Sequence, residues 1–222
     1  ITVQGPKLIL DYSIFIGQFY VGLLILWTIL ITIGYVFLKK DVFRLMGVVK
    51  EPTMLAFATA SSESAYPKTM EALDKFGVPK RITSFVLPLG YSFNLDGSMM
   101  YMAFAVLFIA QAYNIDLSFA QQALILLTLM ITSKGIAGVS RASIVVIAST
   151  LAMFKLPEAG ILLLLAVDQF LDMGRTATNV IGNSIATAVI ARTEGNKHDL
   201  PEEEVIAVED KLIPINRLAD NN

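Results

Sequence analysis

Long apolar runs alternate along the chain with short polar interruptions, and the run lengths carry the first information. Between Ile16 and Leu38, IGQFYVGLLILWTILITIGYVFL contains no charged residue. About 20 such residues suffice to cross a hydrocarbon layer as a helix, so this run predicts a spanning helix. KKDVFR ends it, and that basic cluster suits the cytoplasmic side. A second candidate span runs from Ile82 to Tyr113 and is interrupted by NLDGS, Asn94 to Ser98. Asn and Asp compete for backbone hydrogen bonds and Gly relaxes the backbone, so local unwinding is expected there. Unwound backbone at membrane depth persists only where it lines a protein cavity or binds something.

Two other runs do not fit simple spans. Glu51 to Gly77 has a polar, hydroxyl-rich middle, TASSES, with Pro67 placed to begin a second helix. Two short helices meeting at a Ser-rich tip are expected, either as a re-entrant hairpin or as a cytosolic helix pair. Phe119 to Phe154 would be a helix of roughly 54 Å, against a core of about 30 Å. It is too short for two full crossings. Two partial helices joined at SKGIAGVSRAS resolve the length, which makes a second re-entrant hairpin. Hairpin then interrupted span, twice, is the arrangement of internally repeated transporters.

The last apolar run, Ala159 to Ala191, carries DQFLDMGRTATNVIGN through its middle. An unpaired charge at the centre of a membrane helix costs roughly 2.5–3.5 kcal/mol, so these charges must be paired, hydrated or used. At about 100° per residue, with Asp168 at zero, Asp172 falls near 40°, Arg175 near 340°, Thr176 near 80°, Asn179 near 20° and Asn183 near 60°. All six lie in one arc of about 100°, while Leu171, Met173, Val180 and Ile181 lie outside it. One face is therefore polar along four turns and must meet a cavity or polar partners.

Composition supports the membrane reading. Of 222 residues, 55% are hydrophobic and only 16% charged, with mean hydropathy +0.64. The absence of Cys removes disulfides and thiolate metal sites, and a net charge of −2 gives no support to nucleic-acid binding. The single histidine, His198, lies in a polar, acidic tail expected to be soluble. The chain begins at Ile1 with no signal peptide and reads as a piece of a longer protein. Lys39, Lys40, Arg44, Lys50, Lys68, Lys75, Lys80, Arg81, Arg192 and Lys197 fall on one side, against Lys155 on the other. That asymmetry places the C-terminus in the cytoplasm.

Helix ends at broken segments offer amide donors for anions and carbonyls for cations. With an arginine and aspartates on the same stripe, they suit a zwitterionic or acidic solute plus a coupling cation. Alternatives are a structural ion-pair cluster of Asp168, Asp172 and Arg175, and interhelical hydrogen bonding by Asn179 and Asn183. Asp96 has a simpler use too, as the partner of a lysine. An enzyme built on Ser133 and Lys134 is disfavoured because adjacent helical residues do not face each other. A channel or structural membrane subunit is a further class.

The motifs SSESAYPKTM, SFNLDGSMMY, TSKGIAGV and DQFLDMGRTATNVIGN, in that order, resemble the dicarboxylate/amino acid:cation symporters, the glutamate transporter family. The resemblance covers the chain to about Gly195. It implies the C-terminal half of an all-α membrane protein with transmembrane helices, two re-entrant hairpins and an unwound helix, moving as a transport unit against a trimerisation scaffold. Residues 1–40 would be a spanning helix on the scaffold side, 41–195 the substrate- and ion-binding core, and 196–222 a cytoplasmic tail. It implies uptake of acidic amino acids across the inner membrane by a homotrimer, with no cofactor and a proton or sodium as coupling ion.

Residue roles follow from the same resemblance. Arg175 would bind the substrate's side-chain carboxylate and Asp172 its amino group. Thr176 and Asn179 would hydrogen-bond it, Ser62 and Val139 would contribute backbone contacts, and Ser98 would lie beside the pocket. Asp96, Asn94, Asn179 and Asn183 would belong to cation sites, with Asp96 and Asn179 as the sodium ligands if sodium couples. Related dicarboxylate carriers lack the aspartate and threonine found here at 172 and 176, and neutral-substrate relatives lack the arginine. Glutamate or aspartate is therefore expected ahead of a C4-dicarboxylate. Sodium-coupled members usually carry an aspartate where this chain has Asn183, and an amide is a weaker ligand for a hard cation. Glu63, in an SSES tip like that of proton-coupled carriers, is the candidate proton carrier. NLDGS replaces the familiar NMDGT, and GVSR replaces GVPG, which adds Arg141.

Overall fold

The computed structural model describes residues 5–134 and 141–195, and every regular element among them is helical. Helix α1, Gly5–Leu38, contains the first apolar run and is about 51 Å long at 1.5 Å per residue. Only Lys39 and Lys40 separate it from α2, Asp41–Thr59, with Lys39 in the left-handed region at φ 55°. Helix α3, Tyr66–Phe76, returns along α2 and has Pro67 in its first turn, as the sequence predicts. The first hairpin thus begins ten residues before Glu51, because KKDVFR starts a new helix as well as ending the preceding one.

Helices α4, Lys80–Phe93, and α5, Asp96–Ala112, are separated by Asn94 and Leu95, at φ,ψ of −107°,73° and −109°,61°. The interruption is narrower than NLDGS: Asp96, Gly97 and Ser98 form the first turn of α5. Helices α6, Phe119–Thr132, and α7, Ala142–Met153, follow, and α6 opens with a capping box between Ser118 and Gln121. A short 3₁₀ turn, Glu158–Gly160, leads into α8, Ile161–Leu165. A turn at Ala166 and Val167 then separates α8 from α9, Asp168–Gly195.

Helix α9 organises the molecule. It packs against α1, α2, α4 and α5, and it is buried on almost every side from Leu171 to Ser184. Two larger apolar cores sit along it, with a small third cluster of Ala56, Ala65 and Val180. One joins Phe19 and Leu23 of α1 to Tyr101 and Ile109 of α5, Leu129 of α6, Ile147 of α7 and Leu171. The other joins Val42, Leu45 and Val49 of α2 to Leu73, Leu87, Tyr91, Ile181 and Ile185. The polar stripe of α9 lies between them, so the fold places its charges where two hydrophobic clusters meet. Outside, large apolar side chains are exposed along α1, α6 and α7, including Leu24, Ile29, Leu127, Ile131 and Val145. Among the described residues, two segments are long and apolar enough to cross a membrane, Ile9–Leu38 and Lys80–Ala112. Exposed apolar surface on this scale is a lipid-facing or partner-facing exterior.

Close approach at two glycines sets the geometry of the centre. A Cβ on Gly97 would collide with the Arg175 carbonyl oxygen, and one on Gly182 with an Asp96 carboxylate oxygen. Only glycine lets α9 rest directly on the first turn of α5.

Candidate functional site

Asp172 and Arg175 are both fully buried and form an ion pair through Asp172 Oδ1 and Arg175 Nε, one helical turn apart on α9. Taking two charges out of water is tolerable only when further hydrogen bonds serve the remaining atoms. Arg175 Nη1 donates to Ser98 Oγ at 3.1 Å, and Asp172 Oδ2 accepts from the Arg141 backbone amide at 2.9 Å. The Ser98 hydroxyl also accepts from Asn179 Nδ2 at 3.0 Å. Asn179 Oδ1 accepts from the amides of Gly97 at 2.9 Å and Ser98 at 3.3 Å. Asn179 therefore serves the otherwise orphaned donors at the start of α5.

Around this pair stands a second acid–base couple. Asp168, the first residue of α9, is fully buried; Tyr101 donates its hydroxyl to Oδ1, and Arg141 Nε lies 3.4 Å from Oδ2. The position also favours an anion, because helix N-termini carry partial positive charge. Thr176, buried, donates its hydroxyl to the Ala56 carbonyl at 2.9 Å and stands within reach of Asp172 O, tying α9 to the end of α2. Ser62 is buried in the turn after α2, whereas Glu63 beside it is exposed. Val139 lies outside the described residues.

The expected cation ligands gather at the break between α4 and α5. Asn94 Nδ2 is 3.2 Å from Asn183 Oδ1; turning the Asn94 amide over brings its nitrogen to 3.1 and 3.3 Å from the Asp96 carboxylate oxygens. Asn183 is buried, with Nδ2 lacking a hydrogen-bond partner among the described residues. Asn179 is turned instead toward Gly97 and Ser98. Lys134 Nζ donates to the Phe93 carbonyl at 2.7 Å, at the negative end of α4. Among the described residues no three Asp, Glu, His or Cys side chains come together as a metal centre. Asp96, Asn94 and Asn183 form an oxygen-and-amide set suited to a weakly held hard cation. Ser133 and Lys134 go to different partners, the Ser133 hydroxyl to Met99 sulfur at 3.1 Å and Lys134 to Phe93.

Of the residues expected from the sequence to form the site, Asp172, Arg175, Ser98, Asn179 and Thr176 are brought together by the fold, and Asn94, Asp96 and Asn183 gather beside them. The contacts of Asp168 with Tyr101 and Arg141 are not legible in the sequence. GVSR marked Arg141 as unusual, but nothing local names a partner 31 residues away.

An apolar exterior around a buried, ion-paired polar centre defines a helical membrane protein whose polar groups face inward. Comparison with known proteins narrows the class. The sodium:dicarboxylate symporter family matches residues 1–193, and the chain belongs to that family. It is 50% identical over 159 residues to the proton/sodium-glutamate symport protein of Bacillus caldotenax, covering 72% of this chain and 38% of that one. Identity is 47% over 173 residues with the proton/glutamate-aspartate symporter of Escherichia coli K12, covering 78% and 39%. It is 42% over 197 residues with the C4-dicarboxylate transport protein of Paracoccus denitrificans, covering 86% and 42%. The chain spans about two fifths of the length of these curated relatives.

Proposed function

We propose that this chain is the substrate- and ion-binding part of a symporter that takes up glutamate or aspartate. The buried Asp172–Arg175 pair carries the reading: a cation and an anion held side by side, with Ser98 and Asn179 beside them, match a solute bearing both charges. Arg175 takes the side-chain carboxylate, because a guanidinium pairs with a carboxylate through two parallel hydrogen bonds. Asp172 takes the ammonium. Thr176, Asn179 and Ser98 complete the polar wall, and Ser62 and Val139 supply backbone groups from the two tips.

Residues 41–195 form the moving core, with α2–α3 and α6–α7 as re-entrant hairpins and Asn94–Leu95 as the unwound point of a membrane helix. Residues 1–40 face the scaffold of a homotrimer in the plasma membrane, and residues 196–222, outside the described residues, are assigned to the cytoplasmic side. The coupling ion is a proton, carried by Glu63, and Asn183 in place of a carboxylate is what favours it. Sodium at Asp96, Asn94, Asn179 and Asn183 is the rival.

A second reading, C4-dicarboxylate uptake, is favoured by one observation: relatives named for it match the chain at 41–42% identity. Calorimetric titration of the purified protein separates the two. Glutamate or aspartate should bind at least about ten-fold more tightly than succinate. Tighter binding of succinate would establish the second reading, and binding of none of the three would remove both.

A further inference from the structure

Arg141 is the residue of the molecule whose cost and contacts the roles above leave unexplained. It caps the N-terminus of α7 at φ 65°, a left-handed conformation that glycine adopts freely and a long side chain adopts under strain. The side chain is 61% exposed, while its partner Asp168 is fully buried. Asp168 Oδ1 is served by Tyr101, but Oδ2 has no hydrogen bond among the described residues, and Arg141 Nε at 3.4 Å is the cation beside it. Arg141 reaches the site twice, because its backbone amide also holds Asp172 Oδ2. The result is a cluster of two carboxylates and two guanidiniums at the meeting point of α7, α9 and α5.

We propose that Arg141 is a specificity-determining residue that sets the net charge of the substrate site by neutralising Asp168, and thereby admits anionic solutes. The inference rests on the substrate reading above. With Arg141 in place, Asp168 is cancelled from one side and Asp172 from the other, so an acidic amino acid meets a balanced site. Without it, a buried carboxylate is left uncompensated on the helix that carries Asp172 and Arg175, against which the solute's own carboxylates must sit. Repulsion then grows with the solute's negative charge: greatest for succinate, intermediate for aspartate, least for asparagine. Arg141 touches the balance of the site rather than the solute, so its effect must vanish when Asp168 carries no charge.

Backbone and charge predict opposite outcomes for one substitution, which makes the test sharp. Arg141→Gly relieves the left-handed strain, so a purely structural role predicts equal or better binding. The charge role predicts that aspartate affinity, measured by titration of the purified protein, falls at least about ten-fold. Succinate should fall further, and asparagine, measured in competition with labelled aspartate, should change less than about three-fold. Arg141→Lys should retain aspartate binding, and the double variant Arg141→Gly/Asp168→Asn should return it to within about three-fold of the unmodified protein. Undiminished aspartate binding by Arg141→Gly overturns the proposal. So does an equal loss for all three solutes, or a double variant no better than the single one. Failure of the unmodified protein to bind aspartate would instead bring down the substrate reading, and this inference with it.

Discussion

At the scale of single residues, burial makes Arg175 and Asp172 costly to separate. Removing one partner of a fully buried pair leaves an uncompensated charge, at roughly 3–5 kcal/mol. Arg175→Cys should therefore lose glutamate and aspartate transport and admit small neutral amino acids such as serine. Unchanged acidic uptake in that variant would remove Arg175 from the site. Asp172→Asn gives a different signature. It should weaken aspartate binding by at least about ten-fold while affecting succinate, which has no ammonium, much less. Equal losses for the two would make Asp172 a structural anchor of Arg175 and of the Arg141 amide. The Thr176 hydroxyl is already engaged with the Ala56 carbonyl, so it bridges the end of α2 to α9.

At the scale of elements, the contact of α9 with the α4–α5 break is the feature on which the centre depends. Gly→Ala in a helix interior ordinarily stabilises by about 1 kcal/mol. At Gly97 the sign should reverse, because the added methyl meets the Arg175 carbonyl, which belongs to a backbone that cannot step aside. Gly97→Ala is expected to lower stability by about 1–3 kcal/mol, read as a reduced thermal midpoint in detergent. A raised midpoint would show that α9 and α5 have more room than the geometry allows.

This is also the scale at which the limits of the sequence are plainest. The charge-free run of α1, Pro67 at the start of α3 and the Asn–Asp–Gly signal near residue 94 are local cues, and the structure follows each of them. The turn at Ala166 and Val167 had no cue: GILLLLAV is uniformly apolar and contains no residue there that punctuates a helix. That turn is fixed by distant contacts, as α1 brings the Tyr12 hydroxyl to the Leu163 carbonyl and the Tyr20 hydroxyl to the Phe170 carbonyl. The start of α2 was hidden for a different reason, since a basic cluster marks a membrane boundary without saying whether a new helix begins. Of the site, the 3.6-residue periodicity revealed the α9 stripe. The partners on α5 and α7 needed the tertiary fold.

At the scale of the whole molecule, the two larger apolar cores grip the ends of α9 and leave its charged middle against the end of α2 and the starts of α5 and α7. If both tips face the same solute, as proposed, access from either side of the membrane depends on how those hairpins and the scaffold move. Glu63 stands exposed in the turn between α2 and α3, where a proton can reach it. Glu63→Gln should abolish acceleration of uptake by an inward proton gradient while sparing exchange of internal for external substrate. Loss of exchange as well would place Glu63 in the structure of the tip rather than in coupling.

The most direct test of symport itself is accumulation of labelled glutamate or aspartate in proteoliposomes under imposed gradients. An inward proton gradient in sodium-free buffer should drive uptake above the level reached without a gradient, and collapsing it with a protonophore should release the accumulated solute. Uptake that requires sodium and ignores the proton gradient would contradict the assignment of the coupling ion. Absence of accumulation under either gradient would contradict the account as a whole.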